Sequence, residues 1–251
     1  MITVKTPGEI AKMRVAGRIA GTICRTLADR VRPGVTTGEL DDDAADLMQK
    51  QGAQSAFLGY RGYPGTICIS INEEVVHGIP GNKRIAVGDI VSIDVGVLVD
   101  GFYGDTALTI VVGSSDPEVI RLVAVTRQAL YAGIAQAHAG RRLSDISHAI
   151  EQTAEAAGFS VVRDFVGHGI GRQMHEDPQV PNYGAPGLGP KLVEGMTLAI
   201  EPMVNMGKSA VCVLEDGWTV ITRDRLPSAH FEHTVAIGGS AADILTGCNE
   251  E

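Results

Sequence analysis

Two aspartates, Asp94 and Asp105, stand inside the apolar, β-branched run VSIDVGVLVDGFYGDTALTIVV (91–112). Two more acids share that setting: Glu201 in TLAIEPM (197–203) and Glu232 in HFEHTVAI (230–237). His168, between glycines in VGHGIGR (166–172), adds a nitrogen donor. Carboxylates gathered on a shielded face repel one another and lose hydration unless a cation sits among them. Four acids and one imidazole suit two hard or borderline divalent ions better than one structural zinc. Such paired ions, roughly 3.5–4 Å apart, activate water near neutral pH and clamp a tetrahedral intermediate. The chemistry expected is metal-assisted hydrolysis.

The local pattern says how the first two acids would meet. Asp100-Gly101 is a strong two-residue hairpin signal. With that turn, Val99 faces Phe102, Asp94 faces Ala107 and Asp105 faces Gly96. Asp94 and Asp105 then share one face as diagonal neighbours, with Ser92 and Thr109 beside them. Ile93, Val95, Thr106, Leu108 and Ile110 fall on the other face, free to pack under helices. A basic side chain, a shared proton or a metal could offset the paired charge. No lysine or arginine occupies the intervening positions, and Gly96 leaves room opposite Asp105, which favours metal. The competing expectation is an edge hairpin whose aspartates simply face water.

A weak internal repeat positions the remaining acids. GVTTGEL (34–40) matches GRRLSDI (140–146), and VGDIVSIDV (87–95) matches EGMTLAIEP (194–202), which sets Asp94 against Glu201. HGI recurs at 77–79 and 168–170, and GDT (104–106) answers FEHT (231–234). The shared order implies two similar α+β halves that use one sheet system. Apolar spacing predicts helices over 7–30, 37–51, 117–136 and 144–157, strands near 65–71 and 90–112, and a strand-rich final third.

Other chemistries lack their signatures. There is no H-E-x-x-H, G-x-S-x-G or Walker A pattern, and the glycines around His168 do not form a dinucleotide fingerprint. Cys68 with His77 has no evident third residue to orient a thiol nucleophile. Cys24, Cys68, Cys212 and Cys248 are widely spaced, as expected of reduced thiols rather than a disulfide scaffold. His138, His148 and His230 carry no partner signal and read as surface or supporting residues, and His233 as structural. A net charge of −9 disfavours a phosphate-tracking surface. The N-terminal MITVKTPGEIAKMRVAG is charged throughout, unlike a signal peptide, and no run reaches the length of a membrane span.

Taken together, NEEVVHGIP (72–80), IDV (93–95), GFYGDT (101–106), GHGIG (167–171), HEDP (175–178), AIEPM (199–203) and FEHT (231–234) resemble the type I methionine aminopeptidases, within the wider pita-bread peptidase family. The likeness spans nearly the whole chain. It implies an α+β pita-bread fold: one catalytic domain over 1–251, with pseudo-symmetric halves at about 1–112 and 113–251 and a curved antiparallel sheet covered by helices. It implies removal of an initiator methionine that precedes a small residue. Asp94 would chelate one ion, Asp105 and Glu232 would bridge two, and His168 with Glu201 would complete the second site. Glu201 would shuttle the proton, His175 would hold the substrate carbonyl, and His77 would contact the first peptide nitrogen.

By the same resemblance, Phe57, Tyr60, Tyr63, Cys68, Met174 and Trp218 would form the methionine pocket. Met174 stands where relatives usually carry an aromatic, and Phe165 lacks the hydroxyl of the usual tyrosine. The expected cofactors are two divalent ions (cobalt, manganese or iron, with zinc compatible) and one monovalent cation near Asn72 and Ser228. The expected partners are N-terminal methionine peptides and nascent chains, with transient ribosome contact and no membrane. A cytoplasmic monomer without an N-terminal zinc-binding extension or the type II insertion is the implied form. The rivals are a proline-directed pita-bread aminopeptidase and a non-catalytic binding relative, and the latter would be expected to have lost metal ligands.

Overall fold

The computed structural model describes residues 2–114 and 116–247; Cys248 lies outside them. Helix α1 (Pro7–Ala28) opens with Pro7 in its first turn and a capping box in which Thr6 and Glu9 satisfy each other's backbone N–H groups. The same device, Thr36 with Glu39, starts α2 (Thr37–Lys50). Helices α3 (Pro117–Gln136) and α4 (Leu143–Ala156) follow in the second half. All four agree with the sequence expectation to within one or two terminal residues, where helix ends fray.

The strands of the first half are β1 (Gln54–Ser55), β2 (Cys68–Ile71), β3 (Glu74–Val76), β4 (Ile90–Val99) and β5 (Phe102–Val111). The second half supplies β6 (Ser160–Val161), β7 (Gly167–Gly169), β8 (Glu176–Val180), β9 (Thr197–Ile200) and β10 (Met203–Asn205). It continues with β11 (Val211–Val213), β12 (Val220–Thr222), β13 (Ser228–His230), β14 (Glu232–Ile237) and β15 (Ala242–Ile244). The main sheet runs β1-β4-β5-β14-β9-β7-β8, with β2 also on β4 and β15 on β14. Its paired strands are antiparallel.

The β5–β14 contact joins the halves. On one face, α1 and α2 pack Ala20, Ile23, Leu27, Leu40 and Ala44 against Ile93, Val95 and Val97. On the same face of the second half, α3 and α4 pack Leu122, Leu130, Ile146 and Ile150 against Leu198, Ile200, Val235 and Ile237. Each fully buried aliphatic side chain contributes about 1.5–3 kcal/mol by leaving water. That burial fixes the register, because a one-residue slip would move every acid to the helix face.

The hairpin has the expected register, with Asp94 opposite Ala107 and Gly96 opposite Asp105. Asp100 and Gly101 both adopt positive φ (48° and 77°), as a tight primed turn requires. The edge-hairpin alternative fails, because β4 lies between β5 and the strands β1 and β2. The strand expected near 65–71 begins only at Cys68: the N–H groups of Thr66 and Ile67 donate to Asp41 Oδ1 at 2.8 and 2.9 Å instead of to a neighbouring strand. The HGI echo does not carry into the pairing. His168 stands on β7 against β9, whereas His77 follows β3 with φ 61°.

Candidate active site

Strand register brings the four acids together across the junction. Ala107 pairs with Asp94 on one side and Glu232 on the other, which makes a row across β4, β5 and β14. The Thr234 hydroxyl locks β14 to β5 by accepting the Asp105 N–H at 3.1 Å and donating to the Asp105 carbonyl at 2.8 Å. Glu201 follows directly after β9. His168 Nδ1 donates to the Gly169 carbonyl at 2.9 Å, which leaves the unprotonated Nε2 with its lone pair free, 3.6 Å from Glu201 Oε1 and 3.9 Å from Asp105 Oδ2. Ligand atoms of Asp105, His168 and Glu232 lie within 4.8 Å of one another.

Burial sets the electrostatics. Loss of hydration, then mutual repulsion, pushes Asp94, Glu201 and Glu232 well above the usual carboxylate range. Burial raises Asp105 to about 7. His168 falls to about 3, through burial and then the neighbouring His175, so its imidazole is neutral. The site fits divalent metal on the chain's own atoms: Asp94 Oδ1, Asp105 Oδ1 and Glu232 Oε1 are buried with no hydrogen-bond partner. Among the described residues, Arg61 is the only arginine or lysine lining the cavity.

That cavity has a volume of about 180 Å³, and it gathers every residue expected at the site. Its acidic wall is Asp94, Asp105, His168, Glu201 and Glu232, and its other wall is Phe57, Tyr60, Tyr63, Cys68, Met174 and Trp218, with His77 and His175 between them. Tyr63 and Trp218 meet edge to face at 5.0 Å, and the His77 ring meets Phe165 the same way at 5.5 Å. Tyr60 Oη lies 2.9 Å from His175 Nδ1. Cys68 pairs with Asp94 across β2 and β4, and burial, then that acid, drives its thiol well above the ordinary range. That environment disfavours a thiolate nucleophile.

A family model described as metallopeptidase family M24 matches residues 11–238. The methionine aminopeptidase of Clostridium perfringens is 53% identical over 246 residues, covering 98% of this chain and 99% of that protein. The chain belongs to metallopeptidase family M24. The crystal structure of methionine aminopeptidase from Thermotoga maritima has a TM-score of 0.97 and 48% identity, and the match covers 99% of this chain and all of that one. Prolidase from Pyrococcus furiosus shares the fold at a TM-score of 0.79 and 25% identity, with 98% of this chain covering 66% of that one.

The structure revises or adds to the sequence reading at several positions of this M24 metallopeptidase. The room opposite Asp105 is filled, since a Cβ on Gly96 would lie 2.5 Å from the Phe57 ring. Gly167 and Gly169 are required by the sheet: a Cβ there would meet the Ala199 and Asp177 carbonyls at 2.4 and 2.1 Å. Arg61, unnoticed in the sequence, reaches the cavity from a tight turn at φ 48°, and no motif marks it. His230, read as surface or supporting, is buried against Glu201 and Glu232. His233 turns to the reverse face, where Nδ1 meets Thr246 Oγ1 at 2.8 Å, in keeping with a structural role.

The loop carrying Met174 and His175 is closed by Glu176. Its Oε1 accepts the Arg172 and Gln173 N–H groups at 2.8 and 3.2 Å, and its Oε2 pairs with Lys5 Nζ at 2.5 Å. Lys5 is only 5% exposed. Removing one partner of a buried pair strands the other charge, so Lys5→Met is expected to lower unfolding stability by about 3 kcal/mol. In urea the midpoint should fall at an unchanged m-value. A loss below about 0.5 kcal/mol, the scale of an ordinary surface substitution, would contradict this account.

Proposed function

We propose that this metallopeptidase removes N-terminal methionine from peptides and nascent chains, preferring a small second residue. The observation that carries this is the single cavity in which an acidic ligand set adjoins an apolar, sulfur-bearing wall (Phe57, Tyr63, Cys68, Met174 and Trp218). Polarizable walls of this kind suit a flexible thioether. The names of the full-length relatives point the same way.

Asp94, Asp105, His168, Glu201 and Glu232 would together hold the divalent ions, with the carboxylates balancing their charge and the neutral His168 imidazole supplying the nitrogen donor. Bound there, the ions supply Lewis-acid polarisation of the scissile carbonyl and of water; cobalt, manganese and iron suit this donor set, and zinc is compatible. The Glu201 carboxylate accepts a proton from water and passes it to the leaving nitrogen. His175 is kept neutral by burial and then by Arg61. With Tyr60 Oη at Nδ1, it presents Nε2–H to the carbonyl oxygen and its developing charge. His77, lowered to about 4 by burial and then His175, meets the first peptide N–H as a neutral acceptor. The substrate's free α-amine lies at the Asp94 end, which limits removal to one residue.

The whole chain, 1–251, acts as one catalytic domain with halves at about 1–112 and 113–251. It works as a cytoplasmic monomer in transient contact with the ribosome. No helix among the described residues is long and apolar enough to cross a membrane. A monovalent cation would be held beside Asn72 and Ser228, which meet through the Ser228 N–H and Asn72 carbonyl at 2.9 Å.

Turnover of Met-Ala-Ser against X-Pro-Y peptides tests the assignment. Methionine release should dominate, and faster X-Pro cleavage would replace it with the proline-directed activity. The pocket wall gives a second test. Gly96→Ala must displace the Phe57 ring and is expected to raise KM for Met-Ala-Ser about tenfold, or about 1.4 kcal/mol. An unchanged KM would place the methionine side chain elsewhere.

A further inference from the structure

His230 sits behind the acidic wall, outside the lining of the substrate cavity. It is 2% exposed, and its Nε2 has no hydrogen-bond partner. That nitrogen lies 3.9 Å from Glu201 Oε2 and 3.9 Å from Glu232 Oε2. A buried ring nitrogen without a partner costs free energy, and these two carboxylates are the acceptors beside it. The backbone leaves the ring little choice of position. His230 pairs with Met203 on β10, its N–H donates to Thr109 Oγ1 at 2.9 Å, and Thr109 Oγ1 donates to its carbonyl at 2.7 Å. Glu201 is thereby flanked on both oxygens, by His168 at Oε1 and by His230 at Oε2.

We propose that His230 is a positioning residue for the metal centre: its Nε2–H holds Glu201 through Oε2, with Glu232 beside it, and keeps Glu201 Oε1 turned toward His168. A supporting donor behind a ligating carboxylate fixes its orientation and so raises metal affinity. The inference rests on the ligand roles proposed for Glu201 and Glu232. It adds a residue that makes no contact with the peptide.

Co(II) alone is the probe, titrated calorimetrically into chelator-treated protein and followed by its visible absorption. His230→Leu should weaken Co(II) binding about 10–100-fold, the usual loss for an outer partner, and alter the Co(II) bands. His230→Gln keeps an N–H of similar reach and should bind within about threefold of the parent. His230→Asn keeps the amide but falls short of the carboxylates, so it should resemble the leucine variant. If the leucine variant does not fold, the glutamine and asparagine pair carries the comparison. Parental affinity and spectrum in His230→Leu or His230→Asn would overturn the proposal. So would a glutamine variant as weak as the leucine one, because the ring would then be bonded to the ion itself. Binding is read without peptide, so failure of the parent to cleave Met-Ala-Ser would count against the proposed activity and not against this assignment.

Discussion

Replacing Glu201 by glutamine is expected to lower kcat on Met-Ala-Ser at least a hundredfold, about 2.7 kcal/mol of barrier, with little change in KM. Glutamine keeps an oxygen that can face the ion from the position 3.6 Å from His168 Nε2. It cannot take and return a proton. The loss should therefore persist at saturating Mn(II) and should not be repaired by more metal. Asp94→Asn should lose activity on a similar scale for another reason: Asp94 would serve as a metal ligand, and an asparagine amide binds a hard ion more weakly than a carboxylate. Excess Mn(II) should recover part of that loss. Steady-state kinetics of both variants across a metal titration separate the two roles. Parental turnover of either variant in metal-supplemented buffer would refute the site.

The acids were legible in the sequence because a strand makes them conspicuous. Asp94, Asp105, Glu201 and Glu232 break apolar runs whose period is two, and the Asp100-Gly101 turn fixes which of them can meet. The element order followed for the same reason: helices that cover a sheet carry a readable stripe, such as Met13, Ala20, Ile23 and Leu27 on α1. Residues placed by loops or by close strand approach were not legible. Arg61 enters through a strained turn, Glu176 acts on its own loop, and Gly167 and Gly169 are needed by neighbouring backbone. His230 was invisible because β13 is short, and its role depends on which strand end it lies behind.

Stripped of metal, the protein is expected to lose stability as pH rises from 6.5 to 8, and divalent metal should reverse the loss. The carboxyl groups of Asp94, Glu201 and Glu232 titrate well above their ordinary range in the folded protein, and Asp105 near 7. A carboxyl raised on folding contributes stability that is complete below its unfolded pKa, near 4. That contribution is lost as pH climbs through the folded value, at up to about 1.4 kcal/mol per pH unit for each group. The buried histidines run the opposite way. His77, His168 and His230 are depressed to about 4, 3 and 3, so their contribution is present above 6.5 and lost on acidification. The two sets oppose each other between pH 4 and 6.5. Between 6.5 and about 7.5 the unfolded histidines finish losing their protons and offset a small part of the carboxyl effect, and above that the carboxyls act alone. With 251 residues, each kcal/mol moves Tm by about 2–4 °C, so a fall of at least about 5 °C is expected over that interval. Mn(II) replaces the protons that the acids would otherwise hold, so its stabilisation should grow with pH. Calorimetry of chelator-treated protein with and without Mn(II) at pH 6.5 and 8 measures both effects. A flat metal-free Tm, or an equal metal shift at the two pH values, would mean that the four acids are not gathered in one buried site.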